Sequence, residues 1–157
     1  MLSAIIHTLH VLLAGAWLGG VIFTTAVVSP ALKMMEWSEA ERVRARSVIG
    51  RHYARVGGVN LALLLVFALL DGLTARFGTI FYVEYALLVV LFGLVAAHGA
   101  YFGRKLVSLA GAERRAESSK AAASFAEQRR ALQRVSSLVS MLDIVVSVVV
   151  MVLAVNA

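Results

Sequence analysis

The chain has 157 residues, of which 61% are hydrophobic and 15% charged, against roughly 45–50% and about 25% in soluble domains. With a mean hydropathy of +0.86 it reads as an integral membrane protein of one domain, because four spans of about 20 residues leave no room for a separate soluble domain. It contains no cysteine, which excludes disulfides, thiolate metal sites and cysteine nucleophiles, so a metal or cofactor would fall to His, Met, Tyr or carboxylate. The formal net charge of +6 does not point to nucleic acid, since no aromatic residues interleave with the basic ones.

The first apolar run, about 4–28, holds no acidic or basic residue and ends at the only proline, Pro30. The opening MLSAIIHTLH lacks the positive start of a secretory signal, so this run is expected to stay as a spanning helix. The further spans are about 57–74, 79–102 and 135–157, joined by connections at 31–56 and 103–134. Six Lys and Arg fall in the first connection, eight in the second, and only Arg76 on the opposite side. The positive-inside rule therefore places both connections in the cytoplasm and both termini outside the inner (cell) membrane. The fold expected is an all-α, four-helix transmembrane bundle with cytoplasmic helical extensions. Ser38 and Glu41 have capping-box spacing, and the Ala, Glu and Arg content of 104–134 favours helix. The basic connections read as solvated helix faces and a topology signal, with anionic lipid or partner docking as the functional alternative.

Ionisable residues inside a span are costly and face the bundle interior by default. On the first helix His7 and His10 share a face with Ala14, Trp17 and Thr24. Asn60, Leu64, Phe67 and Asp71 form one stripe on the second. Glu84 and His98 align on the third, and Ser136, Ser140, Asp143, Ser147 and Met151 on the fourth. With the topology applied, His7, His10, Asp71, Glu84 and Tyr85 converge in the outer half, roughly 5–10 Å deep. Imidazole and carboxylate oxygen there could ligate copper, zinc or another metal ion, offer an axial nitrogen to haem, or pass protons. The plainer alternative pairs His10 with Asp71 and leaves His7 and Glu84 at the wet interface. His98 lies near the cytoplasmic end, on the order of 20 Å from His10, so one haem iron cannot take both. Asp143 stands in mid-span, where it reads either as a proton acceptor on the cytoplasmic side or as a hydrogen-bonding partner of Asn60, Thr24 or a backbone carbonyl. Gly15 and Gly19 have the GxxxG spacing of close helix packing or homo-oligomers.

The run from His10 through Trp17, Leu18, Gly19 and Gly20 resembles the first helix of CopD-like membrane proteins, where a histidine precedes a Trp-x-Gly-Gly group by seven positions. The end of the third helix, with His98, Gly103 and Arg104, looks like the His…Gly-Arg end of the four-helix HemJ-type protoporphyrinogen oxidases. The resemblance implies haem b or copper, a redox or haem-related role and a membrane redox partner, with His10 as axial ligand, His7 or His98 as secondary ligands, and Trp17 and Arg104 beside the cofactor. The HemJ-type Arg after Pro, Lys early in the third helix and Asn-Glu-x-Pro group are replaced here by Pro30-Ala31-Leu32, Tyr82-Val83-Glu84 and Ser140-Met141-Leu142-Asp143. An oxidoreductase scaffold without protoporphyrinogen oxidation is thus expected. The rivals are a metal-ion binding or transport protein using His7, His10, Asp71 and Glu84, and a cofactor-free membrane scaffold.

Overall fold

A computed structural model describes residues 1–157, the side chain of Ala40 excepted. Four helices cover nearly all of it: α1 Leu2–Met34, α2 Glu39–Ala75, α3 Thr79–Arg115 and α4 Ser119–Asn156. Each contains an apolar stretch long enough to cross a membrane, so the chain is a multi-pass, four-helix membrane protein. At a rise of 1.5 Å per residue such helices measure about 50–57 Å against a hydrocarbon core of about 30 Å. Their surplus length extends the bundle beyond such a core at the end where α1 meets α2 and α3 meets α4.

The apolar run ends at Pro30, but the helix does not. α1 passes through a π-helical turn at Phe23–Val28 and continues as α-helix over Ser29–Met34, with Pro30 in the first turn of the new segment. Proline is tolerated there because the first amides of a helical segment need no partner within it, and the wider π turn absorbs the change of register. α2 starts at a capping box: the Glu41 amide donates to Ser38 Oγ at 3.3 Å, and the Ser38 amide donates to Glu41 Oε2 at 2.8 Å. It ends at Arg76, whose left-handed backbone (φ 62°) turns the chain towards α3.

Between the helices lies a narrow apolar seam of Ala14, Trp17, Leu61, Leu64, Ala68, Leu88, Leu91, Val146, Val150 and Ala154. Their counterparts on the outer faces, such as Val59, Val66, Val89, Val145 and Val152, are exposed, as lipid-facing positions require. Polar side chains then join the helices where lipid cannot satisfy them. Trp17 Nε1 donates to Ser147 Oγ at 2.9 Å, linking α1 to α4, and Asn60 Nδ2 donates to the Leu13 carbonyl at 3.1 Å, linking α2 to α1.

The helical extensions are held by Arg129 of α4, which is 8% exposed. Its Nη1 donates to Glu39 Oε1 and its Nε to Glu113 Oε2, both at 2.9 Å, so one guanidinium joins α4 to the start of α2 and the end of α3. From the sequence Arg129 is only one of the basic residues of a connection. Its partner Glu39 lies 90 residues away, beyond the reach of local pattern.

Candidate functional site

At the end of the bundle opposite those extensions, α1, α2 and α3 bring four ionisable side chains together. His7 and His10 stand one turn apart on the inner face of α1, Asp71 approaches from the last turns of α2, and Glu84 from the second turn of α3. His10 Nδ1 and Asp71 Oδ2 are 3.0 Å apart, and His7 Nδ1 lies 2.9 Å from the same oxygen. On its far side His10 Nε2 meets Glu84 Oε1 at 2.7 Å. The His10 and Glu84 side chains have no exposed surface and that of Asp71 is 5% exposed, whereas His7 is 39% exposed and forms the rim.

Close approach is built into the backbone around Asp71. A Cβ on Gly72 would lie 2.6 Å from the Phe77 ring and would run into the Tyr85 hydroxyl. The bare backbone there lets Tyr85 lean across α2 and donate to the Ala68 carbonyl at 3.0 Å. Tyr85 thus fastens α3 to α2 one turn from Asp71, and it is not hydrogen-bonded to the cluster.

The hydrogen-bond chemistry of His10 decides what the arrangement can hold. A neutral imidazole has one N–H and one lone pair. Donation from Nε2 to the buried Glu84 leaves the lone pair of Nδ1 directed at Asp71 Oδ2, which is itself an acceptor. One potential ligand atom from each of His7, His10 and Asp71 lies within 4.8 Å of the other two. Electron-rich atoms at these separations need a cation among them, either a proton or a metal ion. Glu84 Oε2 is also buried and has no hydrogen-bond partner, so the negative side of the site is not satisfied by the protein's own donors.

The other residues singled out by the sequence are not in this cluster. His98 follows Glu84 on α3 by 14 residues, about 21 Å along the helix, and is an exposed side chain against Phe102, with ring centroids 5.9 Å apart. Arg104 is exposed one and a half turns further on. Trp17 is spent on the bond to Ser147 in the core. Asp143 is not hydrogen-bonded to Asn60 or Thr24, because Asn60 serves the Leu13 carbonyl and Thr24 Oγ1 the carbonyls of Gly20 and Val21. Its Oδ1 is buried without a partner, while its backbone carbonyl accepts from Ser147 Oγ at 2.6 Å. Of the GxxxG pair, Gly15 packs near the Met151 side chain and Gly19 faces open space.

These features define a four-helix membrane protein with a buried His–carboxylate cluster near one end of the bundle. The chain belongs to the family described as a domain of unknown function, DUF4149, whose model matches residues 12–115. That match includes Asp71 and Glu84 and begins just after His10. No curated protein and no solved structure matches the chain.

Proposed function

We propose that this protein binds a divalent transition-metal ion, zinc or copper(II), through His7 Nδ1, His10 Nδ1 and Asp71 Oδ2, with Glu84 as the carboxylate that holds His10. The observation that carries the reading is the pair of contacts on the two sides of His10. An acceptor carboxylate at Nε2 fixes the tautomer and turns the other nitrogen towards the remaining ligands, as carboxylates behind metal-bound histidines do. Two imidazoles and a carboxylate suit zinc or copper(II). The contacts from Asp71 Oδ2 to the two Nδ1 atoms, 2.9 and 3.0 Å, would open by about 0.4 Å to give tetrahedral spacing around zinc. A dipositive ion also balances Asp71 and Glu84 in a setting where unbalanced charge is costly. Three protein ligands leave a position open on the side of His7, the exposed member.

The haem b reading asks His10 for a free ring nitrogen with a flat space beside it. Here both nitrogens face carboxylates and the side chain is fully enclosed, which favours the bare ion. One experiment distinguishes the readings. Purified protein in detergent, dialysed against zinc or copper, is expected to be colourless at the Soret wavelength and to retain about one metal per chain, as the ligand set implies. Retention should fall to background in a His7→Ala/Asp71→Asn variant. A Soret band that vanishes in His10→Gln would replace the metal by haem. Equal, negligible metal in wild type and variant would leave the cluster to protons alone.

The orientation follows from the charge asymmetry: the cluster faces outward and the Arg129 end lies in the cytoplasm of an inner-membrane protein. Single cysteines at position 2 and after Ala157 are expected to react with an impermeant thiol reagent applied to intact cells, and one at position 118 to react only after lysis. Labelling at 118 in intact cells would reverse the orientation and put the metal site inside.

A further inference from the structure

The lipid-facing side of α3 changes character where the helix leaves the membrane. Counting from Thr79, a hydrocarbon core of about 30 Å is crossed in about 20 residues, so the turn that follows His98 stands in the headgroup layer. This is where α3 becomes π-helical, over Ala97–Gly103. π turns interrupt α-helices at functional positions more often than elsewhere, and this one has little side-chain bulk: a Cβ on Gly99 would meet nothing within 4 Å. Beside it lies a shallow, open depression lined by Ala100, Tyr101, Arg104, Lys105 and Ser108.

Its lining has the chemistry of a phosphate diester carrying acyl chains. Tyr101 is 57% exposed at the depth where amphipathic aromatic rings sit between chains and headgroups. Arg104, Lys105 and Ser108 follow at helical spacing on the same side and are exposed. No carboxylate lines the depression, and neither Arg104 nor Lys105 is in an ion pair among the described residues. We propose that this depression is a binding site for one anionic phospholipid of the leaflet opposite His7, its phosphate held by Arg104, Lys105 and the Ser108 hydroxyl and its glycerol region set beside Tyr101.

A topology signal alone would need the charges but not the aromatic ring or the hydroxyl. The other basic depression makes the contrast. It runs along α4 past Lys120, Ser124, Glu127, Arg130 and Arg134, contains a carboxylate, and extends about 21 Å from Arg134 away from the membrane. Its far end is out of reach of a headgroup.

The experiment is lipid retention measured by native mass spectrometry on the full chain, released from nanodiscs of phosphatidylglycerol and phosphatidylcholine in equal parts. Wild type is expected to keep one phosphatidylglycerol per chain in preference to phosphatidylcholine. Arg104→Gln/Lys105→Gln should lower that retention on the order of 10-fold or more, at the usual strength of a basic residue near an anionic surface. Ser108→Ala, which keeps every charge, should lower it by a smaller factor. Lys120→Gln/Arg130→Gln, which loses the same charge from α4, should leave it unchanged. Equal losses in the two double variants would assign the attraction to net charge, and absence of a phosphatidylglycerol preference in wild type would likewise overturn the site. Neither result bears on the His–carboxylate cluster, so the two proposals stand or fall separately.

Discussion

Glu84→Gln is expected to weaken metal retention by about 10–100-fold, the usual cost of removing the group behind a ligand histidine, although Glu84 is not among the three proposed ligands. His10 Nε2 and Glu84 Oε1 lie 2.7 Å apart with no exposed surface on either side chain, and in the proposed tautomer Nε2 donates to the carboxylate. Glutamine keeps the shape but presents either an oxygen or an amide NH₂. With its NH₂ towards Nε2 it would favour the tautomer that carries the proton on Nδ1, where the metal must bind. Asp71→Asn should cost at least as much, since it removes an anionic ligand that both histidines face. Asp71→Leu should be worse than Asn, because an apolar side chain gives His10 and His7 nothing to pair with. Competition titration with a chelator of known affinity measures all three. Wild-type affinity in Glu84→Gln would show that the orientation of His10 is fixed by packing, and would remove the main support for the metal reading.

The extent to which this was legible in the sequence differs between its parts. The spans follow from hydropathy, and the helical connections from a capping box and helix propensity, all of them properties of contiguous sequence. The meeting of His10 and Asp71 follows from depth and helical phase, since both can be counted from the ends of the apolar runs. Glu84 is different. By count it shares the depth of His10, but α1 and α3 are not neighbours in the bundle, and only the closure of all four helices brings the two side chains together across the core, with Glu84 beside Nε2. Asp143 shows the converse limit: phase put Asn60 and Thr24 within its reach, but each found a backbone carbonyl closer to hand. The passage of α1 through Pro30 depended on a π turn, for which FTTAVV carries no recognisable signal. The Arg129 clamp joins three helices far apart in sequence, and its members look like ordinary solvated charges until the extensions pack together.

Replacing His10 by Leu should destabilise the bundle by about 3–5 kcal/mol, whereas replacing His10, Asp71 and Glu84 together by Leu should restore most of that loss. The single change leaves Glu84, wholly buried, with no partner at all, and leaves Asp71 with only the half-exposed His7. A buried carboxylate stripped of its partner keeps its desolvation penalty and loses the attraction that offset it. The triple change removes the charges as well as their interactions and fills a similar volume with apolar groups, in a seam already built from Leu61, Leu64, Leu88 and Leu91. Unfolding in mixed micelles of increasing dodecyl sulfate content would measure the difference, with helix content by circular dichroism as the readout. A triple variant as unstable as the single one would mean that His10 contributes through shape and packing, not through its carboxylates. The expected recovery, with metal retention still at background, would separate the two roles of the cluster. The bundle would then fold without these charges, which points to the binding of a cation as the reason to keep two carboxylates in a place where they are costly to hold.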